Sequence, residues 1–233
     1  MITMRHALAA TVAVTVLLVQ GCATWKPPHD LQWFRTSAER RAAYAQAYRL
    51  AWERVEAERA KVQGPWAVVM DADETILDNS EYQDRQSRRG KSWEQTSWDA
   101  WTAERKAVAF PEAREFIDKV RAAGGHLAIV TNRVQRTCDD TARNLDRQNV
   151  RFDSLQCAPA PDELDKQPRF DAVANGTVPG AGGKPMTALL YVGDAITDCP
   201  GQTQQKVDTA IFGTRCIVLP NPMYGGWTRI PYR

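Results

Sequence analysis

Hydrophobic and polar positions along this chain follow two alternating periods. From Thr36 to Val62 the apolar residues Tyr44, Tyr48, Ala51, Trp52 and Val55 recur at helical spacing, with Arg and Glu on the other side, which predicts an amphipathic helix. Thr36 with Glu39 three residues on has the form of a capping box, and Gly64-Pro65 stops the run. Trp66-Ala67-Val68-Val69-Met70 follows as a short unbroken apolar stretch, the pattern of a buried strand. Further strands are expected at 127–130, about 152–157, 189–192 and 216–219. Helices are expected at about 111–123 and 136–148, and the spacing from Trp93 to Trp101 predicts another. Apolar strands alternating with helices imply an α/β fold whose parallel sheet is covered on both faces. In such sheets ligands gather beyond the carboxyl ends of the strands.

The first residues break this rhythm. Arg5 precedes a 13-residue apolar core, Ala7–Val19, in which only Thr11 and Thr15 are polar. It is shorter than the roughly 20 residues needed to cross a bilayer and reads as a secretory signal over residues 1–21. Leu18-Val19-Gln20-Gly21-Cys22 has the outline of a bacterial lipoprotein cleavage box, with Val19 and Gln20 departing from its commonest form. The expectation is a lipid anchor at Cys22, with residues 22–35 as a tether; the alternative is an ordinary cleaved signal and an incidental cysteine. Removal of the signal leaves about 212 residues, enough for one sizeable domain over 36–233 with an appendage. The whole chain carries 30 Lys+Arg against 28 Asp+Glu, which gives no electrostatic case for a nucleic-acid polymer as partner. Four cysteines remain after Cys22, namely Cys138, Cys157, Cys199 and Cys216. They are either disulfides, in one of three connectivities, or buried thiols.

The candidate chemistry lies at strand ends. Asp71 and Asp73 directly follow the first strand, and on a continuing strand they would share a face. Two carboxylates there suit a divalent cation and a nucleophile with a neighbouring acid/base, although a surface turn also uses Asp. The second strand ends in Thr131-Asn132-Arg133, where a hydroxyl and turn amides can hold phosphate oxygens and where helix caps are equally at home. Gly193-Asp194 ends the fourth, with Asp198 four residues on. Asp194 can complete a cation site with Asp71, and Asp198 can support it. Lys166 precedes that strand and is either a solvated lysine or a fixed ammonium beside the nucleophile.

In order, Asp-x-Asp, Thr, Lys and Gly-Asp-x-x-x-Asp resemble the haloacid-dehalogenase-like phosphohydrolases. The closer resemblance is to the class C acid phosphatases, exported bacterial lipoproteins that act as 5′-nucleotidases. It is carried by the run Asp71 to Tyr82, by Trp98-x-x-Trp101, by Thr131-Asn132-Arg133, by Lys166-x-x-Arg169-Phe170-x-x-Val173, by Gly193-Asp194 with Asp198, and by Leu219 to Trp227. It covers about residues 37–227.

The resemblance implies a Rossmann-like sheet in the order 5-4-1-2-3 with a helical cap, here a subdomain from about 36–62 and 79–108. It implies Asp71 as nucleophile and Asp73 as general acid/base. Thr131 and Lys166 would hold the phosphoryl group, with Asn132 and Arg133 as substrate contacts. Asp71, Asp194 and the Asp73 main-chain carbonyl would bind Mg2+, with Asp198 behind them. Trp98 and Tyr224 would clamp a nucleobase, although Trp98 also suits the core of its helix. The implied strand order would bring Cys138 near Cys157 and Cys199 near Cys216. The expected activity is an exported, Mg2+-dependent acid phosphatase for small phosphomonoesters, nucleoside 5′-monophosphates first. Its place would be the cell envelope, at the outer membrane or in the periplasm. A broad phosphatase for sugar or cofactor phosphates and a non-catalytic binding lipoprotein are the alternatives. Ala195 and Cys199, and the Gly- and Pro-rich segment 176–186, depart from the family pattern.

Overall fold

The structure is a computed structural model that describes residues 25–232; the expected signal, and Cys22 with its lipid, lie outside the described residues. Two helices come first, α1 (His29–Thr36) and α2 (Ala38–Arg59), then strand β1 (Trp66–Met70). A short ribbon, β2 (Leu77–Asp78) and β3 (Val108–Ala109), encloses α3 (Ser80–Arg88) and α4 (Gln95–Glu104). The rest alternates: α5 (Pro111–Ala122), β4 (His126–Val134), α6 (Cys138–Arg147), β5 (Ser154–Ala158), α7 (Gln167–Ala174), β6 (Thr187–Gly193) and β7 (Cys216–Val218).

Five strands form one parallel sheet in the order β5-β4-β1-β6-β7. Counting only these core strands along the chain, the order is the expected 5-4-1-2-3. Period-two alternation divides each strand between two cores. Val68, Met70, Leu127, Ile129, Leu190 and Val192 face the cluster under α2, α5 and α6, whereas Ala67, Val69, Ala128, Val130 and Tyr191 face the one under α7. Burying one such Val or Leu is worth about 1.5–3 kcal/mol, so the register of β1, buried along its whole length, is fixed by both faces at once.

Three expectations need correction. Residues 29–35 are not tether: α1 buries Leu31 and Phe34, and Phe34 packs edge-on against Tyr44 and Phe110. The cap of α2 is Ser37, whose hydroxyl accepts from the Arg40 N–H at 3.0 Å, so Thr36 closes α1 instead. Finally, α2 belongs to the flank of the sheet and not to the cap, because Tyr44, Tyr48, Ala51 and Val55 all point into the main core. The insert itself is closed at its base by the antiparallel pairing of Leu77 with Ala109 and Asp78 with Val108, just beyond the tip of β1.

Candidate active site

The chain turns sharply after β1. The Asp71 N–H still donates to Val192 O at 2.9 Å, but Ile76 and Leu77 both donate back to Ala72 O, and Glu74 takes a left-handed backbone with φ 52°. A non-glycine residue holds that conformation only where its surroundings over-determine it. Here Glu74 N–H donates to Leu77 O, its carboxylate accepts the Asn79 N–H at 2.7 Å, and its carbonyl accepts the Tyr44 hydroxyl at 2.5 Å. Tyr48 donates likewise to Thr75 O at 2.7 Å. A buried tyrosine needs a partner for its hydroxyl, and the helix spacing delivers both hydroxyls to this loop.

Because the strand does not continue, Asp71 and Asp73 acquire different neighbours. The buried ammonium of Lys166, at the N-terminal end of α7, donates to Asp71 Oδ1 at 2.5 Å and to Asp198 Oδ1 at 2.6 Å. Asp73 instead accepts from Asn79 Nδ2 at 2.8 Å and from Arg133 Nε at 2.9 Å. Arg133 is 1% exposed, also donates to Asn79 Oδ1 at 3.0 Å, and lies over the Trp98 ring at 5.5 Å. Trp101 Nε1 donates to the same Asn79 oxygen at 2.9 Å. Asn79 thus joins the insert to the acid.

On the other side of Asp71, Asp194 follows β6 and accepts from Asn221 Nδ2 at 2.7 Å. Asp198 folds back over the strand tip, accepting the Ala195 N–H at 2.8 Å. Only glycine permits this at 193, since a Cβ there would lie within 2.1 Å of Asp198 Oδ2. Carboxylate oxygens of Asp71, Asp194 and Asp198 all lie within 4.8 Å of one another. Burial drives the Asp71 carboxyl from 3.8 up to about 7; Lys166 opposes the rise, and Asp198 and Asp73 add to it. Burial likewise holds Asp194 well above the usual carboxylate range, with Asp198 and Asp71 reinforcing it. For Lys166 burial lowers the value, but Asp198 and Asp71 outweigh it and the group is held above an ordinary lysine. Three crowded carboxylates share one ammonium, which touches two of them, Asp71 and Asp198. The charge deficit and the all-oxygen donor set fit a hard divalent cation.

Beyond these groups opens a cavity of about 1400 Å³, walled by Asn132 and Arg133 on one side and reached by Trp93 and Tyr224. The segment Thr131-Asn132-Arg133 is not a turn, because β4 runs on to Val134 and its register against β5 shifts between Val130 and Val134. Thr131 is buried, with its hydroxyl accepting from the Arg133 N–H at 3.2 Å and its carbonyl from Arg169. Asn132 Oδ1 accepts from Arg169 at 2.7 Å, which holds the side chain at the cavity wall.

A family profile described as HAD superfamily, subfamily IIIB (Acid phosphatase), matches residues 3–227. The chain belongs to that family. Among solved structures it is similar to the class C acid phosphatase from Bacillus anthracis, with 27% identity over 85% of each chain and a TM-score of 0.74. The same enzyme with tungstate bound matches at 28% identity, again over 85% of each chain, with a TM-score of 0.75. The chain is therefore a phosphatase that acts on small phosphate esters, and the acidic cluster marks where the divalent metal of such enzymes would sit.

Two expected contacts are placed differently. Arg133 is a buried partner of Asp73, not an open substrate contact. Trp98 lines the cavity but is 8% exposed, wedged edge-on against Tyr82 at 5.0 Å and under Arg133. The free ring is Trp93, 55% exposed on the same cavity. The predicted Trp93–Trp101 helix contains it, but α4 starts only at Gln95, so Trp93 lies on the segment before the helix and outside its packing. Asn79, Asn221 and Arg169 went unassigned, each a neutral or cationic group whose role is to hold another side chain.

The structure joins Cys138 to Cys157 and Cys199 to Cys216, each pair with Cα atoms 5.9 Å apart.

Proposed function

We propose that this acid phosphatase is Mg2+-dependent and transfers the phosphoryl group of nucleoside 5′-monophosphates to Asp71 before water releases it. The observation that carries the reading is the unequal pairing of the two aspartates at one strand tip: Asp71 faces the ammonium and the acidic cluster, Asp73 faces a neutral amide and Arg133. Asp71 Oδ attacks phosphorus, and the ester oxygen leaves with a proton from Asp73. Asp73 then takes a proton from the water that attacks the aspartyl-phosphate, so the carboxylates end as they began. Lys166 and the Thr131 hydroxyl hold the equatorial oxygens, with Asn132 beside them. Mg2+, held by Asp71, Asp194 and the Asp73 main-chain carbonyl and supported by Asp198, would supply positive charge against the incoming phosphate.

The Bacillus anthracis relative is known with tungstate bound, and an enzyme of this kind that takes up an oxyanion supports the phosphate-ester reading. For the leaving group, Trp93 and Tyr224 both line the cavity and would stack on a nucleobase, a contact worth about 1–3 kcal/mol that tolerates any base. The apolar segment before Cys22 supports export and a lipid anchor in the cell envelope.

The test is phosphate release from AMP, ribose 5-phosphate and p-nitrophenyl phosphate at pH 5–6, with Mg2+ and with EDTA. AMP should exceed ribose 5-phosphate in kcat/KM, EDTA should stop all three, and Asp71→Asn should abolish turnover. EDTA-insensitive release removes the metal from the reading. Equal rates with AMP and ribose 5-phosphate remove the base stack and favour a broad sugar-phosphate enzyme.

A further inference from the structure

Asp198 holds Lys166 and faces the acidic cluster, yet little secures it from its C-terminal side. The turn that carries it is a single one, Ile196–Asp198, and Cys199 leaves it extended. From Pro200 to Arg215 no residue is buried; only the two ends, Cys199 at 1% and Cys216 at 0%, are inside. Behind the segment lies an unfilled space of about 70 Å³ between Tyr191, Pro200, Ile211 and Cys216. Packing anchors this stretch only near its far end, where Ile211 and Phe212 lie against the core, while Gln202, Thr203 and Gln204 beside Cys199 wall the catalytic cavity.

The Cys199–Cys216 bond closes a covalent circuit. Cys216 opens β7 and pairs with Tyr191 of β6, and β6 leads through Gly193 and Asp194 to Asp198 and back to Cys199. Ionised together, Asp71, Asp194 and Asp198 would repel one another, and the circuit limits how far Asp194 and Asp198 could then move apart from the strand tip. The second bond makes a matched contrast. Its ends are 19 residues apart against 17, so loop closure alone gives the two nearly the same stabilisation. The loop between Cys138 and Cys157 contains α6 and buries Thr141, Asn144, Leu145 and Val150 on its own account. It carries none of the acidic cluster.

We infer that the Cys199–Cys216 disulfide is a positioning element of the cation site, which keeps Asp194 and Asp198 gathered before the cation arrives, while Cys138–Cys157 serves stability alone. This rests on the cation site of the proposed function. Mg2+ binding to the full chain is measured by titration calorimetry, without substrate, for the wild type, Cys199→Ala/Cys216→Ala and Cys138→Ala/Cys157→Ala. Both double variants should lose comparable Tm. The first should weaken Mg2+ binding tenfold or more, and the second should stay within twofold of wild type. Equal affinities in all three, or equal losses in the two variants, overturn the inference. A wild type that binds no Mg2+ refutes the cation site instead. Should the first variant not fold, the wild type is reduced with a small dithiol, the opened bond is identified by alkylation and mass spectrometry, and Mg2+ affinity is compared before and after. Unchanged affinity with the Cys199–Cys216 bond open overturns the inference in the same way.

Discussion

Lys166→Met tests the electrostatics of the site most directly. The ammonium is 3% exposed and lies 2.5 and 2.6 Å from oxygens of Asp71 and Asp198. At an effective dielectric of about 20, each contact is worth about 6 kcal/mol of Coulomb energy, most of it offset by desolvation. Removing one partner of such a buried pair leaves carboxylates uncompensated and costs about 3–5 kcal/mol. Asp198 keeps the Ala195 N–H, so Asp71 bears more of the loss. The sign with pH is fixed by the direction of the Asp71 shift. Its folded value, about 7, lies above the unfolded 3.8. The folded protein therefore binds the extra proton, and this contribution is complete below about pH 4 and vanishes as pH rises through 7. Over that span the metal-free wild type should lose up to about 4 kcal/mol from Asp71. Without Lys166, which lowers the Asp71 value, the folded value climbs further and the loss extends to higher pH. Urea denaturation in EDTA at pH 5 and pH 8 measures this. The deficit of the variant should be smaller at pH 5, where Asp71 is already protonated and only the Asp198 contact is lost, and larger by several kcal/mol at pH 8. An equal deficit at both pH values would refute the argument, since a packing defect is indifferent to pH.

Arg133→Gln should reduce kcat more for alkyl phosphates, which need a proton delivered to the leaving oxygen, than for p-nitrophenyl phosphate. A uniform loss across leaving groups would mean Arg133 does not position Asp73. Trp93→Ala should raise KM for AMP several-fold, leave ribose 5-phosphate unchanged and barely move Tm. Trp98→Ala should instead lower stability by about 3–5 kcal/mol, as expected for a packed indole. An intact Tm in the latter would place Trp98 outside the core.

The sheet was legible because unbroken apolar runs, each bounded by turn residues, leave a parallel sheet as the natural reading. The acidic residues were legible because each falls at a strand end. What stayed hidden depends on orientation. Trp93 and Trp98 occupy one predicted helical stretch, but the helix starts at Gln95, which leaves Trp93 outside it while Tyr82 and Arg133 pack Trp98 in. Arg133 follows Thr131 and Asn132 in a segment that reads as a phosphate loop, yet the extension of β4 turns it inward onto Asp73. Leu31 and Phe34 lie beside Pro27-Pro28, and eight residues are too few for a periodic signal.

The hydroxyls of Tyr44 and Tyr48 have a practical reach. They tie a helix lying before the first strand to two carbonyls of the turn that follows Asp71 and Asp73. Any shortened version of the protein that begins after Arg59 would keep every acidic group of the site and the whole sheet while releasing the backbone on which Asp71 and Asp73 are mounted. The smallest active unit thus begins upstream of the motif that performs the chemistry, and fragment designs, fusions and proteolytic cuts should leave α2 in place.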